Sequence, residues 1–340
     1  NTTASANTAV GYKALFTNTT GTTNVAVGQD ALRYNTTASN NTAVGLSALK
    51  ANITGAENTA LGTNALKDNT TGTSNTAVGY AALQNLTTGG SNVALGFQAL
   101  RDSTTGSSNI AIGQNALVYN SSGANNVGVG QNACFNTTTG TTNVGIGSNA
   151  LLSNTTGDRN VAVGFNSLDA CTTGALNTGV GADSLSALTT GGYNVAVGDD
   201  ALGAVTTPNR NTGIGLAAGR EITTGAFNTA VGSAAMGGAT AITGSANIAI
   251  GSWQDGVIEG PLGSLSSGNS NVAMGNGALR ALTTGAQNVA IGHGCGNNII
   301  VGDTNTFIGY NIVIGNTATD ATVAIGSNFT SAGSNNVRIG

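Results

Sequence analysis

The chain has 340 residues, of which only 7% are charged and 4% aromatic, with 53 glycines, two prolines and a formal net charge of −4. A globular enzyme usually carries about 25% charged residues, a nucleic-acid binder a basic stripe, and a membrane-spanning helix about 20 consecutive apolar residues. The sequence has none of these features, and aliphatic residues recurring at fixed places also argue against disorder.

Residues 1–6, NTTASA, match NTTASN at 35–40, so the chain opens inside a repeat and a longer parent protein is expected. From Asn7 a seventeen-residue unit starts over and over: NTAVGYKALFTNTTGTT, NVAVGQDALRYNTTASN, NTAVGLSALKANITGAE. Its first residue falls at Asn7, Asn24, Asn41, Asn58, Asn75, Asn92, Asn109, Asn126, Asn143, Asn160, Asn177, Asn194, Asn211 and Asn228 without a slip. Asn247, Asn271 and Asn288 follow at gaps of 19, 24 and 17. Seventeen residues are too few for a helical hairpin and suit one coil of a parallel solenoid.

Numbered from its Asn, the unit has Thr, Val or Ile at position 2, only Ala or Gly at position 3, an aliphatic residue or Met at position 4, and Gly at position 5. This pattern predicts a short strand ended by a turn, with positions 2 and 4 on one face and position 3 on the other. The restriction at position 3 is read as the place where another chain approaches. The expected core of a coil is one Val and one Leu. Ala-Leu at positions 8 and 9 forms a second apolar patch, and NTTG at positions 12–15 is turn chemistry. The sequons beginning at Asn18, Asn52 and Asn85 recur with that turn and are read as part of it. Stacked in register about 4.8 Å apart, the opening Asn residues form an axial ladder of side-chain hydrogen bonds. Position 12 is Asn in early units (Asn18, Asn35, Asn52, Asn69) and apolar in later ones (Cys171, Leu188, Val205, Ile222, Leu282), which predicts burial there. The predicted fold is all-β: a parallel β-solenoid or β-roll of 17-residue coils, intertwined or side by side in a homo-oligomer.

Six of the ten cations occupy position 10: Arg33, Lys50, Lys67, Arg101, Arg220 and Arg280. They are read as a solvated ridge, or as neutralised by acids of a neighbouring chain such as Asp68 and Asp102. Asp199 and Asp200, beside the glycine corner, are read as a solvated edge. Cys134, Cys171 and Cys295 lie at unrelated unit positions, which suits small buried hydrophobes and not a disulfide framework.

The predicted regions are a regular shaft over 1–246, irregular coils over 247–297 and a tapering region of short repeats over 298–340. The long unit from Asn247 to Ser270 holds the only tryptophan. A side loop is expected at 252–269, with Trp253, Gln254, Asp255 and Glu259 as candidate receptor or glycan contacts; alternatively Trp253 covers an exposed coil edge. Beyond Asn288 the segments IIVG (299–302), TFIG (306–309), IVIG (312–315), VAIG (323–326) and VRIG (337–340) read as shortened units. His293, the only histidine, is a metal candidate if three copies meet on an axis; otherwise it is a stacked or exposed imidazole. No catalytic residue and no cofactor are expected.

The NTAVGYxAL…NTTG unit, followed by NTFIGYN and NVRIG, resembles the repeats of bacteriophage tail-fibre proteins over nearly the whole chain. The N-[TV]-A-[VI]-G element is also similar to head repeats of trimeric autotransporter adhesins. These resemblances imply a parallel homotrimer, and the adhesins imply left-handed coils. The function they point to is a non-enzymatic fibre shaft, extracellular on a virion surface, projecting a tip towards a host cell-surface glycan or protein. A bacterial surface adhesin or extracellular filament is the alternative. An ice-binding solenoid needs a flat face of outward Thr, whereas Thr19 and Thr20 fall at a turn. A glycan-degrading solenoid needs clustered acids, and none align by position.

Overall fold

The computed structural model describes residues 3–238, 241–252, 260–328, 330, 331 and 334–340. It divides into two compact units, Asn1–Thr173 and Gly174–Gly340. The regular elements of both are β-strands, and each unit is a parallel β-solenoid built from coils of about seventeen residues.

In the first unit a three-residue strand recurs every seventeen residues, from Thr8–Val10 to Val161–Val163. Like stands over like: Ala26 pairs with Ala43, and Ala43 with Ala60. β-Branched residues at positions 2 and 4 suit the pleat, and the position-5 glycine ends it. At Gly96 φ is +139°, and a Cβ there would stand 2.5 Å from the Gly113 carbonyl oxygen on the next coil. Both the backbone angle and the space therefore exclude a side chain at this corner.

The remainder of the coil is also laddered, although it is not regular strand. The Asn64 N–H donates to the Leu46 carbonyl of the preceding coil (2.9 Å), while the Leu66 N–H donates to Ala82 of the following one (3.0 Å). This reversal arises because positions 7 and 9 lie in the left-handed region, as at Asn64 (φ 59°) and Leu66 (φ 49°). On the third side the Thr70 N–H donates to the Thr87 carbonyl of the next coil at 2.9 Å. Most Thr or Ser side chains in this row donate across the same step, as Thr70 Oγ1 does to Thr87.

The core corrects two expectations. Position 3 faces the interior of its own coil and not a second chain: Ala26, Ala43, Ala60 and Ala77 are fully buried within this one chain. It packs on the position-9 residue of the preceding coil, since a Cβ on Gly145 would meet the Cys134 sulfur at 2.5 Å and one on Gly128 the Leu117 Cγ at 3.2 Å. Leu at position 9 fills the space, which leaves room only for Ala or Gly opposite. The aliphatic residue at position 4 is accordingly not core. It points outward, with Leu95 46% and Ile112 37% exposed. Position 12 is buried from Asn18 through Ile299, whether polar or apolar.

The second unit repeats this plan from Thr178–Val180 to Val337–Ile339. The longer coils leave the strand wall undisturbed: Thr229 pairs with Ile248 and Ile248 with Val272. Of the expected side loop, residues 253–259 lie outside the described residues, whereas Leu262 and Leu265 are fully buried in the coil. The C-terminal segments are not separate short coils. Val289 pairs with Thr306 and Thr306 with Val323, so the seventeen-residue spacing persists there. IIVG instead supplies the buried position-12 residue Ile299, and IVIG supplies Val313–Ile314, a second strand on the same coil that pairs with Thr330–Ser331. The step from Val323 to its partner Val337 is shorter, at fourteen residues.

Candidate functional site

The most unusual surface is the outer face of the strands. Positions 2 and 4 carry Thr, Val, Ile, Leu or Met in the strands aligned in the main sheet, with no charged side chain in either row. In the first unit ten such strands are aligned. At about 4.8 Å per rung and about 10 Å across three residues, they form a stripe of roughly 480 Å². Four of its ten rungs carry Thr at position 2, so the stripe is charge-free and mostly aliphatic, and apolar patches of this order of size are commonly binding surfaces. The second unit presents a stripe of the same kind, with Ile214 42% exposed.

Behind this face runs the asparagine row. Each opening Asn from Asn24 to Asn160 has its backbone N–H bound to the Oδ1 of the Asn below, as in Asn24 to Asn7 and Asn109 to Asn92. The Nδ2 donates to the position-15 carbonyl of the same coil, as Asn109 does to Gly123 at 2.8 Å. In the second unit the same bonds cross the longer coils, from Asn247 to Asn228 and from Asn271 to Asn247, and the row ends where the Thr322 N–H donates to Asn305 Oδ1. Asn177 belongs to this row through its bond to the Gly191 carbonyl, and Asn194 and Asn211 continue it. These side chains close the gap between strand and turn, and from Asn24 onward none is accessible to a ligand.

A second, shorter ladder occupies position 12, where Nδ2 of Asn35, Asn52 and Asn69 each reaches the Oδ1 of the Asn one coil earlier at 2.9 Å. It stops at Asn69, whose Oδ1 has no partner because the next coil places Leu86 there.

Five of the six position-10 cations are ion-paired with acids of the same chain, in place of the alternative of acids from a neighbouring one; among the described residues Arg280 has no such partner. Asp30 receives both Arg33 (3.2 Å) and Lys50 (3.6 Å), Lys67 lies 3.6 Å from Asp68, and Arg101 lies 2.6 Å from Asp102. Arg220 bridges Glu221 at 2.8 Å and Asp200 at 3.8 Å. Partial burial pushes the Asp200 carboxyl above its ordinary value, and Arg220 opposes that shift. Pairs this exposed hold the ridge together weakly, by about 0–1 kcal/mol each.

His293 stacks on Tyr310 of the next coil, with centroids 5.3 Å apart and planes 21° apart. Among the described residues no group of three His, Cys, Asp or Glu side chains is placed to hold a metal. Trp253, Gln254, Asp255 and Glu259 lie outside the described residues. Cys134, Cys171 and Cys295 are buried and form no disulfide, and burial pushes the Cys134 thiol up to about 12. Among the described residues no helix is long and apolar enough to cross a membrane.

Two features escaped the sequence reading. The outward stripe was signalled by the absence of charge at positions 2 and 4, but alternation alone does not say which face of a strand is inside. An aromatic and cation stack at position 17 of the second unit had no signal in any single repeat. Neither a protein-family model nor a curated protein matches the chain.

Proposed function

We propose that the chain is the non-enzymatic shaft of an extracellular fibre, a phage tail fibre projecting a host-recognition tip, assembled as a homotrimer through the outer strand faces. The observation that carries this reading is the uncharged stripe of aliphatic and threonine side chains on each unit. Its residues repeat every rung, so a partner that shares the rung spacing matches it along its length, and a second copy shares it by construction. Covering the stripe removes apolar surface from water at about 25 cal/mol per Å², while the axial ladders supply stiffness. A bacterial surface adhesin or filament would use the same construction. Sedimentation should give a mass near 99 kDa, three times 33.0 kDa, and electron microscopy should show rods that compete with intact fibres for host cells. A 33.0 kDa monomer at working concentration would refute the assembly.

Ice binding is the second reading, favoured by the outward Thr42, Thr59 and Thr76 on consecutive rungs. The row is interrupted by Val25 and Val93. Thermal hysteresis in the purified protein would support ice binding over a fibre role.

A further inference from the structure

On the second unit, position 17 of consecutive coils carries Tyr193, Arg210 and Phe227. All three lie in the left-handed region (φ 61°, 61° and 60°), and each is fixed by its N–H to the coil before it, Arg210 to Gly192 and Phe227 to Asn209, both at 3.2 Å. The Arg210 guanidinium is sandwiched, 5.4 Å from the Tyr193 centroid and 5.3 Å from that of Phe227. Both rings remain more than half exposed. The next coil places only Ala246 in this row, its N–H bonded to the Ala226 carbonyl, so no side chain larger than a methyl stands over the far face of Phe227 in that row. Arg33, Arg101 and Arg220 each hold a carboxylate, whereas among the described residues Arg210, like Arg159 and Arg280, has none within ion-pair distance; what sets Arg210 apart is the ring on either side of it.

We propose that Tyr193, Arg210 and Phe227 form a lateral binding site for a carboxylated sugar, a uronic-acid residue of a surface glycan. The guanidinium lies between the two rings and holds no carboxylate, so its planar fork of N–H donors is matched to a carboxylate ligand. Cation–π contact on two sides restricts the side chain beforehand, so less freedom is lost when a ligand binds. The open face of Phe227 takes the C–H face of the pyranose by burial of apolar surface. One unpaired cation between apolar rings suits a ligand with one negative charge and an apolar flank. A polyanion would instead require a basic stripe, and a chain of net charge −4 whose position-10 ridge is largely ion-paired does not supply one.

This site works equally on a monomer or an assembly, so its failure and the failure of the fibre reading are read out separately. The test is saturation-transfer NMR on the full chain with methyl glucuronide, and with methyl glucoside and acetate as controls. Transfer to the glucuronide ring protons is expected, with little for the neutral sugar. Arg210→Gln and Phe227→Leu should each weaken binding about tenfold or more. Gln287 and Leu176 occupy the same unit position, so both variants should fold, as circular dichroism would verify; if either does not, the other decides. No transfer to the glucuronide, equal binding of the glucoside, acetate competing as well as the glucuronide itself, or unchanged binding in the folded variants would each overturn the site.

Discussion

Leucine is an unusual choice for a left-handed backbone position, yet Leu32, Leu49, Leu66 and Leu83 all adopt it with φ between 48° and 50°. The conformation costs about 1–2 kcal/mol, and full burial of the side chain returns about 1.5–3 kcal/mol, so packing wins. Gly296 shows the converse. It occupies the leucine position with φ +60°, and a Cβ there would stand 2.6 Å from the ring of Phe307, which replaces the usual Ala at position 3 of the next coil. The large and small residues have exchanged places. Phe307→Ala should therefore cost about 3–5 kcal/mol, and adding Gly296→Leu should recover part of it by restoring the ordinary pair, as denaturant unfolding would measure. Asp200 offers a pH test. Its folded value is raised, so its cost is absent below the ordinary carboxylate range and fully present above the raised value. Relative to the parent, Asp200→Asn should gain stability at pH 7 compared with pH 3, visible as a difference in melting temperature. At this scale the exclusion of large residues from position 3 was legible in the sequence, but its cause was not. Leu15 and Leu32 are not turn-forming residues, so nothing signals that the chain swings them inward, and the small residue was read as an outer contact.

At the scale of one coil, the opening Asn joins strand to turn through three groups. Asn109 Oδ1 accepts the Asn126 N–H at 2.9 Å, and its Nδ2 lies 2.8 Å from the Gly123 oxygen and 3.2 Å from Asn92 Oδ1. An aspartate there keeps the acceptor but turns a second, charged oxygen towards two others. Asn109→Asp should match the parent near pH 3, where the protonated carboxyl can still donate to Gly123. As the pH rises through the carboxylate range it should fall behind, by about 2–3 kcal/mol at pH 7, which urea titrations at the two pH values would show. This row was legible because an invariant Asn beside a strand has few partners except its own copies. The period was equally plain, except after Asn288. There, strand-like words such as IVIG suggested new coils, while pairing of Thr306 with Val323 keeps the old spacing. A β-branched run with a glycine looks the same whether it opens a coil or forms its far wall.

At the scale of the molecule, each solenoid unit hides small residues and displays its β-branched ones, which is an inefficient arrangement unless the display is used. Leu95 and Ile112 lie on adjacent rungs of the outer face, while their neighbours Ala94 and Ala111 are fully buried. Leu95→Glu with Ile112→Glu should leave the coil folded by circular dichroism and shift the sedimentation mass from the assembly towards 33.0 kDa. Wild-type mass in this variant would remove the strand face from the interface. Composition and period made the coil and its stacking legible as far as Asn288; the ligand and the partner were not, because like residues stacked on like write the same letters in every rung.

Rung-on-rung stacking underlies the ladders, the core and the outer stripe alike, and distances within the first unit test it directly. Nitroxides at Thr54 paired in turn with Ser122, Thr139 and Thr156, exposed residues at the same coil position four, five and six rungs on, can be measured by pulsed electron resonance in spin-diluted samples after the native cysteines are replaced. The separations should rise evenly to about 19, 24 and 29 Å, at about 4.8 Å per rung. Distances that fail to grow with rung number would contradict it.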